Sequence, residues 1–208
     1  MKTLFFLLLC LHTALFAQYT ETSGQLWTKY SLGKVDTAIY NNFSIGGEVL
    51  VGERWGLNYN FDLVFRNDNI FQMHSSAGLI GGPFLIGLGI ASWAAAGDSD
   101  GDGEKDANLG ALGIIGGLII LALPEGVSYH IPVRYNWDIA PYVNILGVDY
   151  MKNRNTDQWY LRYAATFGTR VTYWNPKRYT LNTFFETRKV AGMGWALGGG
   201  FGVGYTLE

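Results

Sequence analysis

The stretch Met193-Gly-Trp-Ala-Leu-Gly-Gly-Gly-Phe-Gly-Val-Gly-Tyr-Thr-Leu207 decides the fold. Met193, Trp195, Leu197, Phe201, Val203, Tyr205 and Leu207 share one parity. Gly194, Ala196, Gly198, Gly200, Gly202, Gly204 and Thr206 share the other. Successive side chains of a β-strand point to opposite faces, so this segment has one aromatic, apolar face and one nearly bare face. A soluble sheet buries its apolar face under a second layer. A membrane barrel turns that face to lipid and keeps the small or polar face inside.

The same alternation recurs upstream and predicts eight strands. They are Asn42–Gly52, Trp55–Phe65, Ile70–Ile80, Val127–Val133, Trp137–Val148, Gln158–Tyr173, Arg178–Thr187 and the glycine strand. In the second, Trp55, Leu57, Tyr59, Phe61, Leu63 and Phe65 oppose Gly56, Asn58, Asn60 and Asp62. Most reach the ten or so residues that a tilted strand needs to cross a bilayer. With both termini in the periplasm, the short turns Arg66–Asn69, Arg134–Asn136 and Trp174–Lys177 fall on the inner side, and Met151–Asp157 outside. The alternative is a lipocalin-like soluble barrel, whose apolar parity would point inward; the long aromatic parity opposite glycine argues against it.

The interior of an eight-stranded barrel is only just wide enough for side chains. A strand without bulk leaves room for large groups from its neighbours. The inward parity collects Glu48, Asp62, Asp138 and Glu186 against Arg162, Arg170 and Arg178. Buried charges must pair, so these residues are expected to form a salt-bridge network that plugs the lumen. Read functionally, the same groups could instead line a selective channel.

Between the third and fourth strands the character changes. Ala77 to Gly97 and Leu109 to Leu123 are apolar and glycine-rich, and the insertion proper is 81–123. Small-residue spacings such as Gly113 and Gly117 suit close helix packing in lipid. Pro83 and the glycines weaken a helix, and Phe84, Ile86, Leu88 and Ile90 alternate with Leu85, Gly87, Gly89 and Ala91 as strand residues would. The expectation is a hairpin of short helices or of extended strands, packed on or in the barrel. A rival architecture is a two-helix inner-membrane protein with a soluble β domain. The acidic loop joining the two runs places Asp98, Asp100, Asp102 and Asp106 around Gly103, a spacing that lets one short loop wrap oxygens around Ca²⁺. This D-x-D-x-D-G-x-x-D pattern resembles the calcium loops of thrombospondin type 3 repeats and dockerins. It lacks the EF-hand's closing Glu, since the twelfth position is Leu109. The other reading is an exposed acidic turn.

Met1 to Ala17 read as a signal peptide, with Lys2 as the positive n-region and Leu4 to Leu9 as the apolar core. Cys10, the one cysteine, directly follows that core, with Leu9 before it where lipidation wants a small residue. Residues 18–40 are expected to form an N-terminal periplasmic segment, and 41–208 the barrel. Removing Lys2 leaves 14 basic against 17 acidic residues, with no basic tract to suggest nucleic acid. The 28 glycines and 32 aromatics (12 Phe, 7 Trp, 13 Tyr) disfavour a helical bundle and favour strands and membrane interfaces.

No nucleophile motif, phosphate loop or zinc spacing is present. His74 beside Ser75 and Ser76, and His130 two residues after Ser128, are the elements from which a lipid hydrolase would have to be built. The Ala17–Gln18 signal end, the repeated aromatic strands and the Gly-x-Gly-x-Gly-Tyr stretch ending at Tyr205 resemble small outer-membrane β-barrel proteins of Gram-negative bacteria. The resemblance spans Asn42 to the end apart from the insertion. It implies an all-β fold, an eight-stranded antiparallel transmembrane β-barrel in the outer membrane. Its implied partners are the lipid bilayer, the barrel assembly machinery and an extracellular protein. Such barrels often end in an aromatic residue, whereas this sequence ends Tyr205-Thr-Leu-Glu208. The function expected is structural or interactive and non-enzymatic, with a narrow solute channel as the alternative.

Overall fold

The first strand pairs with the last. In the computed structural model, which describes residues 24–96 and 103–207, β1 (Gly24–Val35) lies antiparallel to β10 (Trp195–Leu207), from Gly24↔Leu207 to Val35↔Ala196. β1 also pairs with β2 (Ala38–Val51), and β2 with β3 (Trp55–Arg66). On the other side, β10 pairs with β9 (Tyr179–Val190), β9 with β8 (Gln158–Trp174), and β8 with β7 (Trp137–Asn153). One position in the wall remains between β3 and β7. Filling it closes an antiparallel barrel of eight staves with no free edge.

That remaining stave is built from three pieces: β4 (Ile70–Ser76), β5 (Gly126–Tyr129) and β6 (Ile131–Arg134). Along β3 the pairing passes from Phe61↔Ser75 to Asn58↔Gly126. Asn60 is thereby left opposite Ser76 and Tyr59 opposite Glu125, so the register across the break is continuous. Along β7 it passes from Ser76↔Gly147 to Gly126↔Asn144, which sets two residues, Ile145 and Leu146, against Glu125 alone. This is a β-bulge, and both bulged amides donate to the Glu125 carbonyl, at 3.0 and 2.9 Å.

From the break emerge α1 (Ala77–Ala96) and α2 (Gly103–Leu121), packed against each other as a hairpin. Gly82, Gly89, Gly113 and Gly117 let the two backbones approach; a Cβ at any of them would fall within 3 Å of the partner helix. The insertion is therefore helical rather than extended and starts at Ala77, despite Pro83 in the second turn of α1. Two strands leaving the wall would carry unpaired edges, whereas helices satisfy their backbone internally. Large apolar side chains cover the hairpin's outside, among them Phe84, Ile90 and Trp93 on α1 and Leu112 and Ile119 on α2.

The eight staves are not the eight strands that the sequence predicts. Residues 18–40, expected as a periplasmic segment, contain β1 and the start of β2. In β1, Trp27 faces inward while Thr28 and Lys34 interrupt the outward parity, so apolar residues lie on both faces and the alternation is blurred. The predicted strands Ile70–Ile80 and Val127–Val133 are two parts of one stave. The two differences cancel in the count but not in the topology. Arg66–Asn69 lies at the rim opposite Arg134–Asn136 and Trp174–Lys177, which share the rim that carries Gly24 and Leu207.

The outer wall is apolar and bare: Phe201 is 75% exposed and Leu197 64%. Aromatic pairs ring both rims. Trp55–Tyr129, Trp137–Tyr173 and Tyr179–Tyr205 lie at the terminal rim, and Phe65–Phe71 and Tyr150–Trp159 toward the other. Such girdles mark where a membrane barrel meets the lipid headgroups. Inside, a small apolar layer (Val35, Ala38, Tyr40, Val64, Ala196) closes the loop rim above a charged middle. The Tyr40 ring occupies space left by Gly33 and Gly198, where a Cβ would collide with it.

Candidate functional site

Alternation along each stave aims polar side chains at the lumen, where they are cut off from water and must satisfy one another. Three groups form. Near the terminal rim, Glu48 on β2 accepts from Arg170 Nη2 on β8 at 2.6 Å and from Gln25 Nε2 on β1 at 3.1 Å. It also accepts from the Ser128 hydroxyl and faces His130 Nε2 at 3.0 Å, while His130 Nδ1 bonds Asp138. In the middle, Lys29 Nζ on β1 donates to both oxygens of Glu186 on β9, at 3.0 and 2.8 Å, and the Tyr142 hydroxyl donates to Oε2 at 2.7 Å. Arg188, two residues on, pairs with Asp62 on β3. The third group surrounds His74, whose Nδ1 meets Asp149 and Nε2 meets Glu125, both at 2.7 Å.

All these residues are buried except Tyr142, which is half-buried. Six carboxylates (Glu48, Asp62, Glu125, Asp138, Asp149, Glu186) face three basic side chains (Lys29, Arg170, Arg188) and two imidazoles. Each imidazole has a carboxylate at both ring nitrogens, an arrangement that the two N–H donors of an imidazolium satisfy. Withdrawing one partner would leave an uncompensated charge in a low-dielectric interior, which costs more than the pair itself contributes. The space left over is small. The lumen holds cavities of about 10 and 20 Å³, room for about one water each.

Of the residues that the sequence assigns to the lumen, Glu48, Asp62, Asp138, Arg170 and Glu186 are placed there, with Glu48 against Arg170. Arg162 and Arg178 lie instead at the two rims. Arg162 sits near the loop rim, where β8 runs on past the end of β9, and donates to the Ala191 carbonyl at 2.7 Å. Arg178 is in the turn before β9 with φ +71° and is exposed. Lys29, His74, Glu125, His130, Asp149 and Arg188 complete the network and were not in the expected set. Arg188 follows Glu186 on the inward parity and was within reach of the pattern. Asp149 was not, because the bulge at Ile145–Leu146 reverses the parity of β7 beyond it.

Among the expected calcium ligands, Asp98, Asp100 and Asp102 lie outside the described residues, as do the signal segment and Cys10. Asp106 falls in the first turn of α2. Ser128 donates to Glu48 rather than to His130, and both Ser128 and His130 are sealed within the wall.

A closed antiparallel barrel of eight staves, apolar and aromatic outside and charged within, defines a transmembrane β-barrel. Solved structures share this fold. The N-terminal β-barrel domain of Pseudomonas aeruginosa OprF aligns with a TM-score of 0.51 at 10% identity, covering 90% of this chain and 100% of that one. Neisserial surface protein A aligns at 0.49 and 6% identity (88% and 96% covered), and Ail, the attachment invasion locus protein of Yersinia pestis, at 0.47 and 8% (89% and 97%). No family model and no curated protein matches the sequence.

Proposed function

We propose that the protein is a non-enzymatic outer-membrane barrel of structural or interaction type, with a lumen that is shut. Packing of the lumen carries this reading: paired charges fill the middle, an apolar layer covers one end, and the cavities admit only single waters. The bare apolar wall and its aromatic girdles support a bilayer as the surrounding medium. A soluble β domain beside two membrane helices would leave that wall in water. Residues 1–17 would carry the chain across the inner membrane, and the barrel assembly machinery would insert it. The rim holding Gly24 and Leu207 would face the periplasm, and the opposite rim would meet any extracellular partner.

Two measurements test this. Unboiled protein should migrate differently from boiled protein in SDS electrophoresis, because a closed barrel stays folded until heated. Purified protein in planar bilayers should show no steady conductance. Regular conductance steps would replace the plug with the narrow channel.

A further inference from the structure

On the outer wall, directly beside the wall break, lies an apolar groove of about 310 Å³. Its floor is Gly47. By parity Gly47 faces outward between Ile45 and Val49, and it pairs across the ladders with Leu26 on one side and Tyr59 on the other. Four apolar side chains thus stand around a position that has none. Leu79, in the first turn of α1, overhangs the notch. The Tyr59 hydroxyl donates to the Ala122 carbonyl at 2.8 Å and ties the far end of the hairpin to the same place. The insertion therefore roofs a notch that the barrel wall alone would leave open. The polar residues of the lining, Asn60 and Glu48, direct their hydrogen bonds inward, to Glu125 and Arg170.

From this geometry we infer that the Gly47 groove is a binding site for one hydrocarbon chain of a bilayer phospholipid. The occupant must be apolar, because the groove's polar atoms are already engaged. It must be slender, because the floor is one residue wide. At roughly 30 Å³ per water-sized group, the volume takes on the order of ten methylenes, a large part of one acyl chain. A chain held there is shielded on three sides and exchanges more slowly than lipid on the open wall. This inference rests on the bilayer reading above.

The test is lipid retention. Barrel reconstituted in vesicles of palmitoyl-oleoyl phosphatidylethanolamine is extracted into cholate, which has no alkyl chain to compete, and its bound lipid is counted by native mass spectrometry. Wild type should keep one phospholipid per barrel. Gly47→Leu, which fills the floor, should keep roughly tenfold less, the factor expected for losing burial of about two methylenes. The Cβ it adds meets only the flexible end of Leu26 at 2.9 Å and the Gln25 carbonyl at 3.4 Å, so the wall accommodates it. Deletion of residues 77–124 removes the roof and should release the lipid as well. Equal retention by wild type and both variants, or none by wild type, overturns the site. Boiled and unboiled electrophoresis of each protein separates this failure from failure of the barrel itself.

Discussion

His74 and Glu125 stand 51 residues apart in the chain, yet His74 Nε2 and Glu125 Oε1 meet at 2.7 Å inside the lumen. One residue precedes the hairpin and the other follows it, so the pair clasps the insertion at its roots. Glu125 also closes the wall: its amide donates to the Asn58 carbonyl, its carbonyl accepts both bulged amides, and its carboxylate takes Asn60 Nδ2. One residue thereby joins the barrel's backbone ladder to its charge network.

Breaking that clasp should be costly. Glu125→Ala leaves His74 with one carboxylate and opens a hole beside Asn60, and the loss of one member of a buried pair typically costs about 3–5 kcal/mol. His74→Ala should cost a similar amount. The double variant should lose less than the sum of the two, because both changes remove one interaction. Urea titration of the unboiled mobility, with all three variants compared, reads this directly. Additive losses would mean that the two residues act independently.

The continuous register across the break makes a second prediction. Deleting residues 77–124 joins Ser76 to Glu125 and keeps Phe61↔Ser75 and Asn58↔Gly126 as they are. The shortened chain should fold into a barrel that still shifts on boiling. Loss of the shift would show that the hairpin is needed to form the stave, not merely carried by it.

Much of this was legible in the alternation, and the failures have local causes. Strands β8 to β10 read cleanly because one face is aromatic and the other small or polar, as in Phe201 against Gly202. β1 was hidden because Trp27 and Lys29 point inward while Thr28 and Lys34 point out, so hydrophobicity does not follow parity. Asp149 was hidden by the bulge, which no composition signals. Glu125 was hidden by its neighbours: it follows Pro124 at the end of an apolar run, and only the stave's register shows that it belongs to the wall. Lumen pairing is likewise a property of three dimensions. Sequence parity lists Glu48, Asp62, Glu186 and Arg170 together, but says nothing of Lys29 taking Glu186 while Arg188 takes Asp62.

The glycine strand makes room for specific neighbours, so filling it should strain them. A Cβ at Gly198 would collide with the Tyr40 hydroxyl. Gly198→Val should therefore destabilise the barrel by about 1–3 kcal/mol, the usual cost of overpacking. Tyr40→Ala in the same chain should return part of that loss. Heating the unboiled sample in steps and noting where its mobility changes ranks the single and double variants. A Gly198→Val protein as stable as wild type would show that the notch is not filled.

Glu48 is the most heavily committed carboxylate, holding Arg170, Gln25, Ser128 and His130 at once. Glu48→Leu leaves the buried Arg170 guanidinium and His130 without their shared acceptor, and a loss of about 3–5 kcal/mol is expected. Arg170→Met should cost less, because Glu48 keeps three other partners. Combining Glu48→Leu with Arg170→Met replaces the ion pair by packed apolar groups, a change that is often neutral once neither charge is left alone. The combined variant should therefore be more stable than Glu48→Leu by itself. A urea midpoint for the double variant above that of Glu48→Leu, both read in one detergent, checks the claim. A double variant weaker than Glu48→Leu would mean that the arginine holds the lumen through contacts other than Glu48, such as its stacking 4.7 Å over the Trp27 ring.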